Sequence, residues 1–170
     1  MDENIMILAA EACKQLPGGA FLTTGEKANP MTIGWAQFGI VWGKPILTVF
    51  VRKSRQSHAL IDNGGCFTVR VPKQGEMKEA LGICGKKSGR DTDKLAEANL
   101  TIKAPQACCV GGVEGCEIYF ECKKLFSMNC DGMAAFTDEA LLQRFYQGKT
   151  DLAGDPHDVY FGEIVAAYKA

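Results

Sequence analysis

The sequence predicts a mainly β chain, an antiparallel barrel with a few short helices inserted between strands. Three observations carry this. Short apolar or alternating runs recur along the 170 residues, bounded by Gly, Pro and polar turns. They amount to roughly six to eight strands and two or three helices. No G-x-G-x-x-G is present, so nothing supports a Rossmann dinucleotide domain. No internal repeat, low-complexity tract or linker divides the chain, and residues 1–170 read as one domain.

Taken in order, residues 5–14 suit a short helix with Ile5, Leu8 and Ala12 on one face. Gly18-Gly19 opens a first strand, Ala20 to Thr24, and GEKANP reads as a turn. Met31 to Val41 is expected as one second strand. Gly34 and Ala36 are small residues within it, which let a flat or bulky group lie close to the backbone. A bulge or a tight barrel bend accounts for that spacing equally well. Ile46 to Val51 is apolar on both faces, as in an interior strand. Cys66 to Val71 alternates, with Phe67, Val69 and Val71 inward.

Residues 76–84 place Met77, Ala80, Leu81 and Cys84 at helical spacing, with Gly85 as the stop. The loop from Lys86 to Lys94 is either a solvated connection or, through Ser88-Gly89 and its neighbouring cations, an anion-accepting turn. After Pro105 the pattern returns to β, with Cys116, Ile118, Phe120 and Cys122 alternating and a further strand from Lys124 to Met128. Thr137 is expected to cap a helix through Tyr146 with Leu141, Leu142, Phe145 and Tyr146 buried, ended by Gly148. Val159 to Tyr168 closes the chain as a strand, with His157 just before it.

The stretch from Asn29 to Ser57 organises the rest. Its second strand ends in Arg52, Lys53 and Arg55 mixed with Ser54 and Ser57. Ser54 is expected to cap a helix running from Gln56 to Asn63 and stopped by Gly64-Gly65. A helix start offers free N–H groups and a positive dipole end, and guanidinium groups there suit a phosphate monoester.

Nineteen Lys and Arg against twenty Asp and Glu leave no cationic surplus, which argues against nucleic-acid binding. No apolar run reaches the roughly 18 residues of a membrane span, and the start, MDEN, is acidic where a leader is basic. A cytoplasmic location is therefore expected. The eight cysteines contain no C-x-x-C pair, so no metal site is expected and reduced, buried thiols are the first reading. A cluster of Cys108, Cys109, Cys116 and Cys122 is the other.

Several segments now read together. They are Asn29-Pro30-Met31-Thr32 followed by Trp35, the Lys44-Pro45 turn, Arg52 to Ser57 (RKSRQS), Ser88 to Lys94 (SGRDTDK), and His157 ahead of Phe161-Gly162-Glu163. In this order and at this spacing, over residues 17–168, the chain resembles the flavin reductase-like, FMN-binding split-barrel proteins, of the flavoredoxin type.

The resemblance implies a split barrel in which Met31, Thr32, Ile33 and Gly34 lie along the isoalloxazine ring. It implies Arg52, Lys53, Ser54, Arg55 and Ser57 on the phosphate and ribityl chain, with Asn29 and Trp35 in the same cofactor-binding set. Ser88, Gly89 and Lys94 would close over the flavin, and His157 would stand near its reactive face as the catalytic residue. Family members often carry an aromatic residue and Thr where this chain has Gln56 and Ser57. The hydroxyl is kept and a ring contact is lost.

FMN, NADH or NADPH as donor, and a homodimer follow from the resemblance. An NAD(P)H-dependent flavin reductase and a non-enzymatic FMN electron carrier serving redox-protein partners are the two functional classes, and no nicotinamide motif chooses between them. For His157, the ordinary imidazole pKa of about 6.5 suits proton transfer near neutral pH.

Overall fold

The computed structural model describes residues 3–131, 136–147 and 154–170. Helix α1 (Glu3–Gln15) buries Ile5, Leu8, Ala9 and Ala12, the i, i+3, i+4, i+7 stripe of an amphipathic helix, and leaves Ile7 exposed. The chain then forms β1 (Ala20–Thr24), β2 (Asn29–Ile33), β3 (Ala36–Val41) and β4 (Lys44–Arg52). Helix α2 (Gln56–Asn63) leads to β5 (Cys66–Val71), and α3 (Lys78–Lys86) and α4 (Lys94–Glu97) follow. Two short strands, β6 (Ile102–Lys103) and β7 (Gly112–Val113), pair with each other. The long strands β8 (Ile118–Met128) and β9 (His157–Lys169) flank a short helix, α5 (Glu139–Leu142).

Seven strands form one antiparallel sheet in the order β2-β1-β5-β8-β9-β4-β3. The sheet curls on itself. Phe38 on β3 and Phe120 on β8 lie three strand spacings apart along the sheet, about 14 Å, yet their ring centres are 5.0 Å apart. Leu22, Met31, Leu47, Val49, Phe67, Val69 and Phe120 fill the concave side with the α1 stripe. A second core of Phe21, Leu81, Cys84, Val113 and Tyr119 packs under α3 on the other face. This is the mainly β, split-barrel architecture expected. Among the described residues no helix is long and apolar enough to cross a membrane.

Four local expectations are corrected. The single strand from Met31 to Val41 is two, broken at Gly34-Trp35. The break changes the alternation: Met31 and Ile33 face the core, and beyond it Ala36 and Phe38 do. The strands expected on either side of Lys123 are one, β8, with register shifts at Glu121/Cys122 and Lys124/Phe126. Its bulges absorb the change in side-chain direction.

The segment after Thr137 is capped by Asp138, whose carboxylate accepts from Leu141 N at 3.1 Å, and has no buried residue. Gly148 lies outside the described residues. Finally, Cys66 and Cys109 form a disulfide, with Cα atoms 6.1 Å apart, where reduced thiols were expected. Cys84, Cys116 and Cys122 are buried free thiols, as the apolar reading has them. The described residues hold no group of three or more His, Cys, Asp or Glu side chains able to bind a metal.

Candidate functional site

The break in β2–β3 builds the site. Met31, Thr32, Ile33, Gly34 and Trp35 form one wall of a cavity of about 240 Å³, completed by Phe50, Arg52, Arg55, Gly85 and His157. A Cβ added at Gly34 would meet nothing nearer than Leu16 O at 3.9 Å, so this wall is low and open. Trp35 turns out of the core and packs edge-on against Phe145, ring centres 5.0 Å apart, and against His157 at 4.8 Å. The aromatic stripe expected to be buried in a helix is therefore used at the cavity rim instead.

Arg55 and Lys94 are cavity-lining cations of the site whose charge no salt bridge answers among the described residues. Arg55 Nε donates to Met31 Sδ at 3.4 Å and Nη2 to Cys84 O at 3.0 Å. Lys94 Nζ donates to Pro30 O. Neither makes a salt bridge among the described residues. Burial lowers the pKa of both. Lys94 is pushed down to about 8, with Cys84 opposing and the like charge of Arg55 adding to the effect. Asp155, the acid whose field reaches Arg55, is itself held by Ser54 through N–H at 3.1 Å and Oγ at 2.6 Å.

A second cavity, about 530 Å³, lies beside Lys94 and is lined by Asn29, Pro30, Gln56, Gly89 and Arg90 among others. Asn29 Nδ2 donates to the buried Ser57 hydroxyl at 2.9 Å, while the buried Gln56 Oε1 has no hydrogen-bond partner. A Cβ at Gly89 would collide with the side-chain oxygens of Asn29 and Gln56, so only glycine permits this approach. The loop is tied down by Arg90, which donates from Nη1 to Ser54 O at 3.0 Å and from its N–H to Ser88 Oγ at 3.2 Å. A half-buried Arg55 and a buried Lys94 without a salt bridge among the described residues fit a phosphate-bearing ligand, and Gly89 permits the close approach. The orphaned Gln56 amide oxygen is an acceptor that a ligand hydroxyl would satisfy.

Not every expected residue reaches the cavities. Lys53 turns away to Asn129 at 3.1 Å and to Asp131. Ser54 does not cap α2: Arg55 occupies that position, and the Ser54 side chain bonds Asp155. Arg52 lines the cavity but donates from Nη1 to Asp155 O at 2.5 Å and from Nη2 to Phe145 O at 3.0 Å, which ties it to both Phe145 and Asp155.

His157 sits opposite Arg52 in the β4–β9 register, and its Nδ1 is 2.9 Å from the Tyr146 hydroxyl. Burial, reinforced by Arg52, pushes its pKa down to about 4. The ring of the ligand-free chain is therefore neutral near pH 7, where the free-imidazole value would leave it partly protonated. Phe50, Gly85, Arg90 and Tyr146 are site residues that the sequence does not single out. Only Arg90 carries a signal, its place among the cations around Gly89.

Solved structures share this architecture. The chain is similar to flavoredoxin from Methanosarcina acetivorans, with TM-score 0.66 and 23% identity, covering 89% of this chain and 68% of that one. It is similar to flavoredoxin of Desulfovibrio vulgaris, with TM-score 0.67 and 19% identity over 89% and 69% of the two chains. It is similar to an NADH:FAD oxidoreductase of Streptomyces globisporus, with TM-score 0.66 and 15% identity over 90% and 75%. An uncharacterized protein of Archaeoglobus fulgidus is 28% identical over 131 residues, 75% of this chain and 73% of that protein. The family model described as "flavin reductase like domain" matches residues 14–169, and the chain belongs to that family.

Proposed function

We propose that the chain binds FMN and works as an NAD(P)H-dependent flavin reductase. The observation that carries this reading is the pair Arg55 and Lys94: two desolvated cations, Arg55 lining the first cavity and Lys94 the second, with no salt bridge to a carboxylate among the described residues. A phosphate would supply the missing anion. Arg55 and Lys94 would hold it, with Arg90 and the hydroxyls of Ser57 and Ser88 at the polar side. Met31 to Gly34 would line the ring, and Gly89 would let the loop close over it. Bound flavin supplies the hydride and electron chemistry, and the protein supplies orientation and hydrogen bonds.

In this reading His157 is a neutral hydrogen-bonding group held by Tyr146, positioning an incoming nicotinamide rather than delivering a proton. A homodimer is part of the same proposal. Trp42, Phe126 and Phe161 form a surface cluster with ring centres 5.7–6.1 Å apart, and Trp42 and Phe126 remain 60% and 48% exposed. Contiguous exposed aromatics of this kind mark an association surface.

The second reading, an FMN electron carrier between proteins, is favoured by the similarity to two structures that bear the name flavoredoxin. Stopped-flow mixing of the FMN-loaded protein with NADH and with NADPH separates the two. Reduction within a catalytic turnover by either nucleotide supports the reductase. No reduction by either supports the carrier.

A further inference from the structure

We infer that the Cys66–Cys109 bridge is an exchangeable redox pair, attacked at Cys109 by an outside thiolate with Cys66 as the leaving sulfur. The two sulfurs are not equivalent. Cys109 is exposed on the loop before β7, whereas Cys66, at the start of β5, is 7% exposed. The Cys109 N–H donates to Cys66 Sγ at 3.0 Å, so the buried sulfur has a hydrogen-bond donor in place for the negative charge it would take. Exchange is faster when the leaving sulfur is stabilised as thiolate and the attacked sulfur is accessible. Both conditions select the same direction.

The bridge is not what holds its loop. The Glu121 carboxylate accepts from the N–H groups of Gln106, Ala107 and Cys108 at 2.7–3.1 Å, and from the Tyr168 hydroxyl at 2.8 Å. Buried Arg70 lies against the same carboxylate. On the far side, Thr68 Oγ1 donates to Gly111 O at 3.1 Å. Both flanks of Cys109 therefore stay seated when the bridge opens, and reduction should not unfold the chain.

There is also room for a thiol. A cavity of about 620 Å³ has both cysteines in its wall, together with Lys27, Gln56, Leu60 and Asn63. The neighbouring thiols compete poorly. Cys108 donates to Val110 O, and burial raises its pKa; Cys122 is fully buried.

The substrate class is a small thiol or dithiol. A first thiolate forms a mixed disulfide with Cys109 and releases Cys66 as thiolate. A second thiol of the reductant then displaces Cys109. Two electrons pass to the bridge, two protons end on the protein thiols, and the reductant leaves as its disulfide.

The test uses the full chain purified without reductant. The native protein is treated with dithiothreitol, trapped with iodoacetamide and peptide-mapped, with far-UV circular dichroism recorded in parallel. Cys66 and Cys109 should become labelled together at unchanged circular dichroism, and oxidised glutathione should restore protection. In Cys66→Ser, oxidised glutathione should modify Cys109 at least about tenfold faster than it modifies Cys66 in Cys109→Ser, a margin set by how freely each protein thiol meets the glutathione disulfide. The inference is overturned if the bridge resists dithiothreitol until the protein is denatured. It is equally overturned if the two variants react at equal rates, or if both cysteines label in native protein never exposed to reductant. Should either variant fail to fold, the wild-type reduction and reoxidation decide alone.

Discussion

Arg55 and Lys94 grip consecutive residues of one strand: Lys94 Nζ donates to Pro30 O, and Arg55 Nε donates to Met31 Sδ at 3.4 Å. The two cations are thereby held against the same stretch of β2, close enough for the charge of Arg55 to lower the pKa of Lys94. Burying like charges together is unfavourable unless an anion joins them.

The first prediction is a pH dependence. With its pKa near 8, Lys94 is charged below that pH and neutral above it in the ligand-free protein. An anionic ligand favours the charged form, so FMN affinity should be greatest below pH 8 and fall as pH rises beyond it. Stability without ligand should run the other way. The unfolded chain keeps its Lys proton up to about 10.4, so it binds more protons than the folded chain between the two values. Ligand-free stability should therefore rise across that window. Lys94→Gln should flatten both profiles. Fluorescence titrations and thermal melts from pH 7 to pH 10 measure them.

The second prediction concerns His157. His157→Ala should keep FMN affinity within about tenfold and slow single-turnover flavin reduction by up to about tenfold, the worth of one neutral hydrogen bond at about 1.5 kcal/mol. Because burial and Arg52 keep the ring neutral at pH 7, the wild-type rate should show no ionisation from this residue between pH 5.5 and pH 8. A purely structural histidine would lower the melting temperature and leave the rate of the folded fraction unchanged.

The third prediction tests the homodimer. Trp42 has a positive φ of 53° in the β3–β4 turn, followed by Gly43 at 70°, a conformation that favours Asn or Gly over a bulky side chain. Trp42→Asn should relieve the turn and remove the centre of the exposed aromatic cluster. Light scattering should give twice the 18.4 kDa chain mass for the wild type and the single mass for the variant. The variant should melt no lower when both are compared as monomers.

Much of the fold is legible in the sequence because periodicity reports burial directly. The alternation of Phe67, Val69 and Val71 is the inward face of β5, and the helix expected from Gln56 to Asn63 has those bounds. The sequence misleads where a side chain meets a partner far along the chain. Ser54 has the local pattern of a cap, but Asp155, a hundred residues on, takes its hydroxyl. Phe145 and Tyr146 have the spacing of a helical core stripe, but Trp35 and His157 turn them to the cavity rim. Cys66 and Cys109 carry no pairing signal, because their approach depends on how Glu121 seats the loop.

The most direct measurement is an equilibrium titration of the apoprotein with FMN and with riboflavin, which differ only in the phosphate, for the wild type, Arg55→Glu and Cys108→Ser. A hydrogen bond to a charged group contributes about 1.5–3 kcal/mol. Two cations on one phosphate should therefore make wild-type protein bind FMN at least about 100-fold tighter than riboflavin. Arg55→Glu should abolish that preference, and Cys108→Ser should keep it. Equal affinity of the wild type for FMN and riboflavin would contradict a phosphate site at Arg55 and Lys94, as would equal FMN affinities for the two variants.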